Sequence, residues 1–195
     1  MDANRCAWAT VSVADLAYHD TEWGFPHADE RHLFEQLSLE AFQSGLSWRT
    51  ILAKREGFRR AFADFDIHAI AGYSPADVER LLADPSIVRH RGKIEATITN
   101  ARRALEVGSL AALLWRHEPA DNPGPRSTSP ESVALAKWLK RDGWRFVGPT
   151  TVHSWMQAAG VINDHDPACE VHPLVEAARA SFDRPLPLDD ESPRP

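Results

Sequence analysis

Apolar side chains in this sequence recur at steps of three and four residues and nowhere alternate convincingly with a period of two. The clearest case is Leu33, Leu37, Ala41 and Trp48, with Glu40 and Ser44 falling on the same side of the helix that this spacing predicts. A chain patterned in this way folds as packed helices, so the expected class is all-α. The same spacing puts the Glu40 carboxylate among core-facing residues. That is costly unless the group is paired, hydrogen-bonded or met by a positively charged ligand. Glu40 is therefore either a structural residue held by backbone donors or the polar group of a binding pocket.

The remaining helices announce themselves by their caps. Asp29 opens the helix of Glu40, which should stop near Gly45. Ser47 or Trp48 starts the next, through 62, with Ile51, Leu52, Phe58 and Phe62 inward. Ser74-Pro75-Ala76-Asp77 is a capping sequence for a short helix ending before Pro85. A longer helix over 92–107 should bury Ile94, Ile98 and Leu105, with another turn or two over 109–115. Ser129-Pro130 begins a helix to Arg141 with Val133, Ala136 and Leu139 periodic. A further helix covers 151–159, and one small helix follows Pro173. The Pro-, Gly- and Ser-rich stretch over 117–130 reads as a surface connection. The segment before Tyr18 shows no readable organisation. The 195 residues suit a single domain over 1–180, and the acidic, Pro-rich tail over 181–195 should be disordered.

Apolar runs are too short to cross a bilayer, the N-terminus lacks the basic-then-apolar pattern of a secretory signal, and the 2 cysteines cannot build a disulfide framework. A soluble protein of the reducing cytoplasm, acting as a monomer, is expected, with no membrane partner. The net charge of −6 argues mildly against nucleic acid. Three basic clusters argue the other way: Lys54-Arg55-Glu56-Gly57-Phe58-Arg59-Arg60, Arg89-His90-Arg91-Gly92-Lys93 and Lys137-Trp138-Leu139-Lys140-Arg141. Each alone is a solvated helix face, whereas together they suggest a binding face.

Each cysteine has a spaced histidine, Cys6 with His19 and Cys169 with His165. Two thiolates and two imidazoles make a closed tetrahedral zinc shell, a structural rather than a catalytic site. Read without a metal, they are buried thiols and ordinary histidines, with a Cys6–Cys169 disulfide as the weaker alternative. Near 142–151, Arg145, the Phe146-Val147-Gly148 turn, Thr150 and Thr151 would present free amides at a helix start. Such amides position a phosphate without specifying sequence, although a plain connection inside a bundle is the more common explanation.

Taken in order, Tyr18-His19-Asp20 with Glu22-Trp23-Gly24, Leu39-Glu40, Gly45-Leu46-Ser47-Trp48, Arg89-His90-Arg91-Gly92-Lys93-Ile94, Phe146-Val147-Gly148 and Asn163-Asp164-His165 closely resemble the DNA-3-methyladenine glycosylase I family of bacterial base-excision repair. The resemblance runs from about Cys6 to Cys169. It implies the helix-hairpin-helix DNA glycosylase fold and structural zinc on Cys6, His19, His165 and Cys169, joining the N- and C-terminal segments. It also implies Glu40 as the carboxylate that meets the methylated adenine, Trp48 and Tyr18 as stacking partners, and Trp23 as a pocket wall. Leu46 matches a wedge into the base stack, and Arg145, Gly148 and Thr150 would contact the DNA backbone. Two positions depart from the family pattern at what should be the pocket rim: Asp15 stands where some relatives carry a tyrosine, and Phe42 replaces a polar residue. Asp164 lies near the place of a catalytic aspartate in related glycosylases, and beside His165 it would equally serve to orient that imidazole.

The implied activity is monofunctional: the nucleotide is flipped out of double-stranded DNA, its N-glycosidic bond is hydrolysed and free 3-methyladenine leaves. A non-catalytic, zinc-stabilised helix-hairpin-helix DNA-binding protein is the alternative. A zinc hydrolase fits less well, because four protein ligands leave the metal no open position.

Overall fold

The computed structural model describes residues 4–121 and 124–185, and within them the only regular elements are helices. In chain order they are α1 (Val13–Thr21), α2 (Glu30–Gln43), α3 (Trp48–Ala61), α4 (Ile67–Ala71), α5 (Pro75–Ala83), α6 (Arg91–Val107), α7 (Leu110–Trp115), α8 (Pro130–Arg141), α9 (Pro149–Ala158) and α10 (His172–Ser181). Short 3-10 turns precede α1 and follow α3.

The chain packs around α2, in which ten of fourteen residues are buried. It starts where expected, with the Asp29 carboxylate accepting from the His32 amide. Its neighbours are α3, α6, α7 and α9. Leu33, Phe34, Leu37 and Phe42 are fully buried among Phe58, Phe62, Leu113, Trp155 and other residues of one apolar cluster. Two buried bonds tie α9 to α2: Trp155 Nε1 donates to the Leu33 carbonyl at 3.0 Å, and Gln36 Nε2 to the Ala158 carbonyl at 3.0 Å. Gly160 closes the joint, because at its φ of +74° a Cβ would lie 2.5 Å from the Phe25 backbone.

Several expectations change. The helix of Glu40 stops at Gln43, just before Gly45 at φ +80°, and the next starts at Trp48 capped by Ser47, both as the end signals predict, so only the grouping of Trp48 on the Glu40 face changes. Leu105 and Val133 are exposed, Leu52 is only half-buried, and Ala101, Ala104 and Leu135 are buried in α6 and α8. The last long helix starts at Pro149, capped by Gly148, rather than at Thr151. The unread segment holds α1, whose apolar Val13 and Leu16 face outward while Asp15, Tyr18 and His19 are buried. At the other end, Phe182 stacks on Trp115 with ring centroids 4.6 Å apart and Arg184 pairs with Glu118 at 2.9 Å. Packing therefore reaches past residue 180, and the rest of the expected tail, 186–195, lies outside the described residues.

The basic clusters also sort differently. Arg55 and Arg59 both bind Glu35, Arg55 binds Glu22 as well, Arg91 pairs with Glu79, and Lys93 is buried. Lys137, Lys140 and Arg141 on α8 remain exposed.

Candidate active site

Glu40 sits in the last turn of α2, 7% exposed. In front of it opens a cleft of about 210 Å³, walled by Tyr18, Trp48, Trp23 and Trp8, with the polar ends of Gln43, Ser154 and Gln157 completing the lining. Each wall comes from a different element. Tyr18 stands on α1, Trp48 at the start of α3, Trp23 and Trp8 on the segments flanking α1, and Ser154 with Gln157 on α9. The Tyr18 and Trp48 rings lie 5.0 Å apart, tilted by 40°, and the Trp8 ring meets the Trp23 ring edge-on at 5.1 Å.

Behind Glu40 a space of about 10 Å³, lined by Glu22, Glu35, Gln36 and Arg55 among others, is large enough for one water molecule. The nearby Arg55 cation is already engaged: its guanidinium binds Glu22 at 2.5 Å and Glu35 at 2.8 Å. Glu40 itself makes no hydrogen bond or ion pair among the described residues. Burial alone pushes its carboxyl up from 4.5 to about 8. The free protein thus carries a largely neutral Glu40 at pH 7, where the sequence had suggested a standing negative charge. The same burial, with Glu40 next in importance, holds the Tyr18 hydroxyl well above its ordinary value.

The four expected metal ligands converge. The Cys6 and Cys169 sulfurs, His19 Nε2 and His165 Nδ1 all lie within 4.8 Å of one another, and all four residues are buried. Neighbouring donors are 3.0, 3.6, 3.8 and 3.8 Å apart. Two thiols and two imidazoles gathered this closely could hold a metal ion. The two cysteines are free thiols, not a disulfide. Outer partners hold the rings: His19 Nδ1 meets Asp20 at 2.7 Å, Asp20 accepts from Arg5, and His165 Nε2 donates to the Trp23 carbonyl at 3.0 Å. The imidazoles also support the cleft, since the His165 ring packs on Trp23 at 4.7 Å and the Trp8 ring on His19 at 5.2 Å.

Asp164 does not orient His165. It accepts a short bond from Gln157 Nε2 and lies 3.5 Å from His153 Nε2, a distance at the limit of a hydrogen bond. Neither Asp15 nor Phe42 belongs to the rim. Asp15 takes bonds from Ser12 and Arg49, and Phe42 is fully buried, 4.6 Å from the Phe58 ring. Sequence reading missed Trp8, Gln43, Ser154 and Gln157. Gln43 stands three residues after Glu40, and Ser154 and Gln157 are three apart on α9, so helical spacing carried a usable signal for these.

The presumed DNA-contacting residues are at the surface. Leu46, 41% exposed, tips the turn between α2 and α3. In the 142–148 turn joining α8 to α9, Val147 is buried and Arg145 exposed, while the Arg145 backbone is gripped on both sides by the Asn100 amide at 3.0 and 2.9 Å. Gly148 gives α9 no side-chain cap, and Pro149 has no N–H, so the Thr150 and Thr151 amides face outward from the first turn.

The Glu40 shift has a sign that can be measured. Its proton is held by the folded protein and lost by the unfolded chain between pH 4.5 and about 8, so this group's contribution to stability is full below that window and falls as pH rises through it. At about 1.4 kcal/mol per pKa unit, Glu40→Gln should stabilise the protein by about 2–5 kcal/mol at pH 8 and by little at pH 4.5. Denaturant titrations across that range test this, and parallel wild-type and variant profiles would contradict it.

Comparison with known proteins agrees with this geometry. The sequence model for methyladenine glycosylase matches residues 8–172. DNA-3-methyladenine glycosylase 1 of Escherichia coli K12 is 43% identical over 182 residues, covering 87% of this chain and 97% of that protein. A crystal structure of 3-methyladenine DNA glycosylase I superposes with a TM-score of 0.83 at 44% identity, over 87% of this chain and 100% of that one. A tyrosine-to-phenylalanine variant of such an enzyme, crystallised in complex with 3-methyladenine, gives 0.82 at 35% identity, over 87% and 98%. With its cleft, its Cys/His cage and matches of this extent, the chain belongs to the methyladenine glycosylase family.

Proposed function

We propose that this protein is a monofunctional DNA glycosylase, which flips an alkylated nucleotide out of double-stranded DNA and hydrolyses its N-glycosidic bond to release 3-methyladenine. The observation that carries this reading is Glu40, buried and without a hydrogen-bond or ion-pair partner among the described residues, lining an aromatic cleft. The similar enzyme crystallised with 3-methyladenine points to the same ligand.

The chemistry asks little of the protein. Methylation at N3 makes the purine cationic, so the bond to the sugar is already weak. Water adds to the sugar carbon, the base leaves with the bonding pair as a neutral molecule, and one proton is released. No lysine lines the cleft, which argues against a Schiff base and strand cleavage. What the cleft supplies is choice. The faces of Tyr18 and Trp48 offer a cation attraction of about 0.5–2 kcal/mol each. A cationic base also draws the proton off Glu40 and pairs with the resulting carboxylate, an attraction that neutral adenine lacks.

Leu46, exposed at the tip of its turn, would fill the gap left in the stack. The 142–148 turn, with the Thr150 amide beyond Gly148 and with Arg145, would grip phosphates as the hairpin of a helix-hairpin-helix. Support comes from exposed Arg145, Lys140 and Arg141, which make no ion pair among the described residues. Cys6, His19, His165 and Cys169 would hold structural zinc. The ion would bring no open coordination position, only a cross-link between the chain ends and a brace for Trp8 and Trp23. Action as a monomer in the cytoplasm belongs to the same proposal and suits the buried, free thiols. The runner-up, a DNA-binding module without catalysis, leaves the Glu40 cleft without a purpose.

The decisive assay identifies bases released from methylated duplex DNA by the purified protein. Free 3-methyladenine is expected, and Glu40→Gln should slow its single-turnover release by about 10-fold or more while keeping fold and metal. Release of nothing by the wild type would favour the binding module, and an unchanged variant rate would remove Glu40 from the mechanism. For the cage, Cys169→Ser should lower bound zinc and cost about 2 kcal/mol or more of stability together. A fully metallated, equally stable variant would contradict the cross-link.

A further inference from the structure

The basic cluster at 89–93 was expected to face a ligand, yet its lysine turns inward. Lys93 is 6% exposed, and its Nζ donates to the Phe42 carbonyl at 2.8 Å and the Ser44 carbonyl at 2.6 Å. Those carbonyls end α2. No carboxylate pairs with this cation among the described residues, and burial pulls its pKa down. A buried lysine without a counter-ion is costly, and the offset here is the negative end of the α2 dipole with its otherwise unmet carbonyls.

The cation grips a turn whose tip is exposed and unpacked. Ser44, Gly45, Leu46 and Ser47 are all exposed, Gly45 sits at φ +80°, and a Cβ there would meet nothing within 4 Å. The turn's other hydrogen bonds are local: the Ser44 and Leu46 N–H groups donate back to the Ala41 and Gln43 carbonyls at 3.4 and 2.6 Å, and Ser47 caps α3 through Thr50, so among the described residues Lys93 alone reaches the turn from another part of the fold. Lys93 also stands on the first turn of α6, the helix that holds the 142–148 turn. The His90 ring meets Phe146 edge-on at 6.2 Å, and Asn100 binds the Arg145 backbone. A single rigid helix therefore fixes both exposed turns.

We infer that Lys93 is a positioning residue for duplex substrate: its ammonium clamps the 44–47 turn at a set distance from the hairpin, so that Leu46 meets the base stack when phosphates are gripped. The inference rests on the glycosylase reading above. Lys93 itself touches neither DNA nor base. Its burial excludes phosphate contact, and it is no part of the cleft lining. Removing the clamp lets the turn wander, which penalises extrusion of a stacked base and spares a base that is already unstacked.

The test compares base release from duplex and from single-stranded DNA, each methylated separately, with wild type, Lys93→Met, Lys93→Gln and Leu46→Ala. Lys93→Met keeps the aliphatic stem and removes the ammonium. Its rate on duplex should fall by about 10-fold or more, with single-strand release and free 3-methyladenine affinity within about threefold of wild type. Leu46→Ala should show the same split, and the double variant should be little worse than either alone, as expected for residues acting as one unit. Lys93→Gln, which retains one donor for a carbonyl, should fall between and serves if the Met variant does not fold. Equal losses on both substrates, or additive losses with Leu46→Ala, would overturn the inference. A wild type that releases no 3-methyladenine from either substrate would instead overturn the glycosylase reading itself.

Discussion

The active site depends on one costly placement, a carboxyl group buried at the end of α2 with no hydrogen-bond or ion-pair partner among the described residues. Arg55, which lines the small space beside Glu40, is engaged by Glu22 and Glu35, and Lys93 caps the end of the same helix on carbonyls. The fold thereby keeps Glu40 poorly solvated and uncompensated, with its pKa near 8. In such a state it takes no advantage from a neutral ligand beyond hydrogen bonding, and it ionises readily only when a cation arrives. Discrimination between a damaged and a healthy purine follows from the charge they differ by.

The rest of the architecture keeps that cleft in shape. Tyr18, Trp8 and Trp23 belong to the N-terminal segments, whose own apolar side chains Val11 and Val13 are exposed and contribute little core. Those segments are held by the Cys/His cage, which ties Cys6 and His19 to His165 and Cys169, and by the Arg5 bridge from Asp20 to Glu170. Two of the caged rings pack directly on the cleft tryptophans. A cluster that is no part of the cleft lining thus braces two of its walls. α6 does the equivalent on the other side, fastening the Leu46 turn and the 142–148 turn to one rod.

Much of this was legible in the sequence where a residue's role follows from local spacing. Capping residues such as Asp29, Ser74 and Ser129 marked helix starts, the family strings pointed to Glu40 and Trp48, and the two cysteines with their spaced histidines pointed to the cage. What failed did so for a physical reason. α1 was unreadable because its buried side carries Asp15, Tyr18 and His19 while Val13 and Leu16 face water, the reverse of the usual pattern. Trp48 was grouped with the Glu40 face because the step from Ser44 happens to be helical, although the Gly45 and Ser47 signals correctly put a helix end and a helix start between them. Charge runs misled for a related reason, since a sequence cannot show that Arg55 and Arg59 are engaged by Glu35 from another helix, nor that Lys93 points inward. Gln157 and Ser154 join the cleft only through packing of α9 on α2, a long-range contact.

Selection of a cationic purine turns on the protonation state of Glu40, and carbon-13 NMR of its carboxyl reads that state directly. In the free protein the resonance should titrate near pH 8, and saturation with a cationic methylated purine should move that midpoint down by at least about one unit as the carboxylate pairs with the ligand. A midpoint near 4.5 in the free protein, or one that the cation leaves unmoved, would contradict it.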